Sequence, residues 1–223
     1  MLCQTDAHPS ATKALESLFF LISHQVKDYE VTDQVDKIGP CIVKAIVKYY
    51  LWALKDAGLD KVDFPPTLLV RHYRPDMSFG SHNKDDNTSD EKQLSDADRQ
   101  ARFAEAVSKD LSERLEDMAQ QWRELLYRKE DDDLVEPPPT LFAFVVVKHM
   151  LMVMSYDPSQ PERVIYTHAS NISLNERLLW CPNALLIAIV INMVRDSLRH
   201  FKTNDYIVER EAAIDDEDDD PDL

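Results

Sequence analysis

Glycine is nearly missing from this sequence. Three glycines in 223 residues, at positions 39, 58 and 80, leave no place for the Gly-rich loop through which P-loops and dinucleotide-binding turns bring backbone N–H groups against phosphate. No G-x-S-x-G occurs, so a nucleophile elbow is not signalled either. Cysteine is scarce as well. Cys3, Cys41 and Cys181 are odd in number, far apart and without C-x-x-C or His-paired spacing, which signals neither a disulfide framework nor a zinc site and implies a reducing compartment. Cys181 sits in LLWCPNALL, an apolar context that reads as a buried, inert thiol. The seven histidines form no H-E-x-x-H or H-x-x-x-H. His72 and His82 flank Asp76 in HYRPDMSFGSH at a distance that could suit a metal, although the surrounding polar loop is a poor scaffold for one.

Positive charge is the next shortage. Lys and Arg number 25 against 41 Asp and Glu, a net charge of −16, and such a chain repels phosphate backbones at long range. Broad nucleic-acid binding is therefore not expected, and a protein partner that is itself basic fits better. The N-terminus, MLCQTDAHPSATKALESLFFLIS, has no basic n-region and only a short apolar run, so no secretory signal is read there. The matches to the glycosylation pattern at Asn87 and Asn171 are taken as chance. A cytoplasmic or nuclear location is the expectation.

Long apolar runs are also few. The most apolar stretch is TLFAFVVVKHMLMVMSYD, residues 140–157. A spanning helix needs about twenty predominantly apolar residues, and this stretch carries Lys148 and His149 at its centre, so a membrane span is not expected. Its valines and phenylalanines favour strands, and its length suits two strands that reverse near Lys148-His149. RVIYTHASNI, after the DPSQP turn, reads as a third strand, and PPTLLVRHY from Pro65 as a short one. Continuous apolarity on the hairpin predicts that helices cover both of its faces.

Helices are easily found. Two are expected near the N-terminus, over 10–28 with Ser10 as its cap and over 40–57 with Gly58 as its stop. Ser95 and Asp98 form an S-x-x-D capping box ahead of a long helix, in which Phe103, Val107, Leu111, Leu115, Met118, Trp122 and Leu125 trace one stripe. That stripe suits the domain's own sheet or, alternatively, another chain. PNALLIAIVINMVRDSLRHF begins with Pro182, ends in Arg199, His200 and Lys202, and has a first half that is apolar nearly all round, as in a centrally buried helix. Residues 76–98 read as a flexible polar segment and AIDDEDDDPDL as a disordered acidic tail.

The expected architecture is a single α/β (α+β) domain over residues 1–210, with the acidic tail at 211–223. It has a small, mainly antiparallel sheet packed by two or three helices, with an N-terminal helical pair. The order of elements resembles the PD-(D/E)XK nuclease-like fold over about two thirds of the chain, with Arg74-Pro75-Asp76 after a short strand as the matching motif. The resemblance implies Asp76 as the first acid of a Mg²⁺ site for phosphodiester cleavage. The E-x-K strand that should follow has only DEKQ, Asp90–Gln93, to represent it, so the resemblance implies an inactive relative. A second likeness rests on EPPPTLFAFVVV, MSYDP and the Trp180, Asn183, Ala184, Leu185 pattern. These are similar to uncharacterised proteins of filamentous fungi that carry a Pro-Thr-led apolar hairpin and a W-x-x-NAL helix, which implies an accessory or interaction role.

The functional expectation is a non-enzymatic, intracellular interaction protein whose partner is basic. Trp122 and Trp180 are its candidate anchors if exposed, with Asp215, Asp216, Glu217 and Asp218 of the tail as candidate contacts. No cofactor is expected. The alternatives are a Mg²⁺-dependent phosphodiesterase using Asp76 and a small-molecule carrier whose pocket lies between the apolar hairpin and the 182–201 helix.

Overall fold

In the computed structural model the described residues are 9–20, 24–75, 95–128, 133–134, 136–159, 172–174, 176 and 179–207. Within the expected 10–28 helix, the described residues are helical as α1 (Pro9–Phe20) and, on the far side of residues 21–23, which lie outside the described residues, as a turn of π-helix at 24–25 that continues into α2 (Val26–Val31). Ser10 is itself helical, so it is not the N-cap of α1, whose start lies at or before Pro9. After a single 3₁₀ turn, Val35–Lys37, comes α3 (Ile38–Asp56), with Pro40 inside its first turn. Ile38, Ile42, Ile46, Tyr49 and Ala53 recur at three and four and are all buried. The helix stops at Gly58, whose φ of +66° admits the left-handed turn that a side chain would strain.

Strand β1 (Leu68–Tyr73) then leads to α4 (Asp96–Leu126), 31 residues long. The capping box is present: Ser95 Oγ accepts from the Asp98 N–H at 3.2 Å and donates to its carboxylate at 2.7 Å. The polar segment read as 76–98 therefore ends earlier than expected, since Asp96–Asp98 are the first turn of α4; residues 76–94 lie outside the described residues. A two-residue ribbon, β2 (Tyr127–Arg128) with β3 (Asp133–Leu134), follows α4. The apolar run folds as the expected hairpin, β4 (Leu141–Val147) and β5 (Met150–Tyr156), reversing at Lys148, which adopts φ +54°. Of the third predicted strand only Ile172 is described, within β6 (Ile172–Ser173). The last element is α5 (Trp180–Thr203).

The four-stranded sheet has the order β1-β4-β5-β6. Pairings β4–β5 and β5–β6 are antiparallel, as the sequence led one to expect, while β1 runs parallel to β4. That parallel pair requires a crossover, and α4 supplies it. Successive strand residues face opposite sides, so Tyr73 and His72 report the two faces. Tyr73 reaches Asp110 of α4, whereas the ring of His72 meets Gly39 at the start of α3. Helix α4 covers one face; α3 and α5 cover the other, and α1 lies against α3 and α5. The stripe on α4 thus packs on the domain's own sheet, with Leu126 buried at its end in place of Leu125, which is 43% exposed.

Gly39 is required by that contact, because a Cβ there would fall inside the envelope of the His72 ring. Gly39→Ala should destabilise the fold by about 1–3 kcal/mol through overpacking. In a His72→Ala background the same change should become neutral or stabilising, since alanine is the better helix former by about 1 kcal/mol. Urea unfolding of the two single variants and the double variant measures the sign change.

Candidate functional site

Trp122, read from sequence as a partner anchor if exposed and otherwise as a core residue, is fully buried. Its Nε1 donates to the Pro66 carbonyl at 3.1 Å and its ring meets Phe201 at 5.1 Å between centroids. That contact joins the end of α4 to the end of α5, so Trp122 is a core residue and presents nothing to a partner. Trp180 occupies the first turn of α5, and its side chain is outside the described residues, as are Asp76, His82 and the tail residues Asp215, Asp216, Glu217 and Asp218. Cys181, at the start of α5, is half-buried, not buried as its apolar neighbours suggested.

The surface feature that sequence reasoning missed is on α5. The sequence of its first half is apolar nearly all round, which predicts a central helix. Its inner side does fill the core, with Ala184, Ile187, Ile191, Val194 and Leu198 buried. Its outer side keeps Leu185, Ile189 and Met193 in solvent at 42%, 54% and 53% exposure. Spaced at i, i+4 and i+8, these three are neighbours along one helix face. Asn183 fixes how the helix sits by donating from Nδ2 to the Ser173 carbonyl at 3.1 Å. At the other end Lys202 Nζ donates to the Gly58 carbonyl at 3.0 Å. With both ends tied to the fold, the outward row is held in place. By length and composition the segment Cys181–Thr203 is apolar enough to cross a membrane. Its inner face, however, is already engaged in the core formed with α3 and β4, and a span would have to withdraw it.

Two ionisable constellations tie α4 to the sheet. Tyr73 Oη donates to Asp110 at 2.5 Å, and Arg114 Nε donates to both oxygens of the same carboxylate at 3.0 Å. Two turns on, Tyr156 and Arg123 both donate to Glu116, and Arg123 also reaches the Pro158 carbonyl at 3.4 Å. Burial alone would raise the Asp110 carboxyl, but hydrogen bonds from Arg114 and Tyr73 and the charges of Arg114 and Arg71 hold it below its ordinary value. Glu116 is lowered in the same way: burial opposes, while Tyr156 and Arg123 outweigh it. Burial and then the Glu116 bond push Tyr156 up to about 12, and burial with Asp110 raises Tyr73 further. Each carboxylate is thus engaged by a phenol and a guanidinium. Such groups serve as structural ties; a general base would need a free lone pair aimed at substrate.

Among the described residues no cluster of three or more His, Cys, Asp or Glu is placed to hold a metal ion. His149 faces Glu30 at 3.7 Å and His200 faces Glu136 at 3.5 Å, each a single pair. Two cavities formed by described residues lie along α1 and α3, and neither is walled by the hairpin or α5, where a carrier pocket was expected. Compared with protein-family models, with curated proteins and with solved structures, the chain matches none.

The carboxylates set the pH dependence. Because Asp110 and Glu116 titrate below their ordinary values when folded, their contribution is complete above the ordinary carboxylate range and is lost as pH falls through the depressed values. Tyr156 has the opposite sign: its contribution is complete below 10.0 and is lost as pH rises from there to about 12. Urea midpoints followed from about pH 3 to about pH 11 should fall at both ends. Tyr156→Phe should lessen the alkaline fall, leaving the part that Tyr73 contributes, and should leave the acid fall that Asp110 contributes.

Proposed function

We propose that this chain is a non-enzymatic protein-binding module that seats a basic, amphipathic segment of a partner on the outer face of α5. The observation that carries this reading is the row Leu185, Ile189, Met193, three large apolar side chains side by side in water on a helix anchored at both ends. Single exposed apolar residues are ordinary, whereas contiguous ones mark sites of interaction.

Magnitude supports the charged half of the reading. Fully burying one such side chain is worth about 1.5–3 kcal/mol, and these are already half covered, so the row yields roughly 3–4 kcal/mol in all. Alone that corresponds to millimolar affinity before the cost of association. The rest must come from elsewhere, and acid is what the chain has in excess. Nine of its acidic residues fall between Glu209 and Asp222, directly beyond α5. A partner with positive charge beside its apolar positions gains rate and specificity from them.

Placing a photo-crosslinker at position 189 of the full chain in its native cells tests this. The segment captured should be basic, with apolar residues spaced by three or four. Ile189→Asp should weaken capture at least tenfold without moving the unfolding midpoint by more than about 0.5 kcal/mol equivalent, as for an exposed site. Undiminished capture by the folded Ile189→Asp protein would rule the α5 face out.

A further inference from the structure

A cavity formed by described residues runs between α1, α2 and α3, and its composition departs from that of the chain as a whole. It is a groove of about 520 Å³, open to solvent, and Lys37, Lys44, Lys48 and Arg74 line it with a single acid, Asp36, for company. In a protein of net charge −16 these cations surround one concavity. Lys37, Cys41, Lys44 and Lys48 fall at i, i+4, i+7 and i+11, one flank of α3, while Arg74 enters from the end of β1.

Arg99, Lys109, Arg114 and Arg123 on α4 and Arg195 on α5 each have a carboxylate within ion-pair distance. Among the described residues, Lys44, Lys48 and Arg74 have none; the same is true of Lys27, Lys55 and Arg102, but Lys44, Lys48 and Arg74 line a single cavity. Lys44 and Lys48, four apart on one helix, repel each other and cost helix stability a few tenths of a kcal/mol. An anion in the groove would turn that repulsion into attraction, and the low-dielectric walls of a cleft focus the field on it.

Beside the cations stand rings. Phe20, 55% exposed at the end of α1, and Tyr29 on α2 line the same groove, with Pro40. The adjoining cavity of about 250 Å³ shares Ser17, Ala45 and Lys48 with it and adds Lys13, Tyr49 and Trp52.

We propose that the α1–α3 groove is a binding site for a compact phosphorylated ligand that carries a planar ring, a ligand of nucleotide class. The cations hold the phosphates and the exposed aromatic side chains take the ring. The volume lies within the range of small-molecule sites, about 300–1,000 Å³. The near-absence of glycine requires that phosphate be held by side chains and not by a backbone cradle. Overall charge does not oppose this, because at physiological salt a charge is screened beyond about 8 Å. A compact anion inside the groove therefore meets the four cations around it, whereas a long polyanion meets the acidic surface too.

Trp52 and Cys41 provide readouts at the site. Full-length protein is titrated at about 0.15 M salt with ATP, with tripolyphosphate, with adenosine and with a peptide of the sequence EREAAIDDEDDDPDL. Binding is followed by tryptophan fluorescence and calorimetry, and the alkylation rate of Cys41 is read by site-resolved mass spectrometry. ATP should bind at least tenfold more tightly than either tripolyphosphate or adenosine and should slow Cys41 alkylation. The Lys44→Glu/Lys48→Glu variant should lose at least tenfold in ATP affinity with an unchanged unfolding midpoint, while Lys109→Glu on α4 should lose little. Equal affinity for tripolyphosphate and ATP would overturn the ring, and tighter binding of the acidic peptide would overturn the phosphate. ATP binding that survives Lys44→Glu/Lys48→Glu, or no binding at all, would overturn the site.

Discussion

The fold depends on one strand with no wet face. Leu141, Ala143, Phe144, Val145 and Val146 of β4 are all completely buried, and a strand in that condition can exist only where something apolar covers each side. One cover is α4, the other α3 with α5. The order of the chain follows from this: β1 must lie beside β4 to screen one edge, and because it runs parallel to β4 a long crossover has to separate them. The 31-residue α4 is that crossover, and it doubles as the layer on one face of the sheet.

A helix laid on a sheet by apolar contact alone can slide, since dispersion and burial are non-directional. Tyr73–Asp110–Arg114 and Tyr156–Glu116–Arg123 remove that freedom by placing directional, charge-assisted bonds at two positions along α4, one to the edge strand β1 and one to β5. On the other side, Asn183 and Lys202 do the same for α5 with neutral and carbonyl partners. The polar side chains that join different elements of this protein thus serve to register α4 and α5 on the sheet. They leave α5 rigid enough that its outward apolar row is a surface of fixed shape.

Much of the architecture was legible in the residues because it rests on local periodicity. The hairpin reversal at Lys148, the capping box at Ser95 and the stop at Gly58 are set by neighbours within a few positions. What could not be read depends on distance in sequence. Nothing local in LLVRHY says that it pairs parallel with LFAFVVV some seventy residues on. An all-round apolar helix gives no sign of which side will be left in solvent; that is decided by where α3 and β4 lie, so the row Leu185, Ile189, Met193 was invisible. Trp122 was offered as an anchor on residue type alone, and only the Pro66 carbonyl and Phe201 show why it faces inward.

Net charge misled most about the groove. A total of −16 is an average over a chain whose acids crowd together, nine of them between Glu209 and Asp222 with one arginine among them. Averages describe encounter at long range, but a ligand within a cleft responds to what stands inside a screening length. The sequence did hold a trace of this: Lys37, Lys44 and Lys48 share a helical flank with no acid at the intervening positions 41 and 45, which are Cys and Ala. A flank of like charges without compensation is a local conflict, and such conflicts in an otherwise consistent sequence are expected where function is located. The same reasoning keeps the two proposed surfaces distinct. The α5 row asks for a partner drawn in by the acidic excess, while the α3 flank asks for a ligand small enough to escape it.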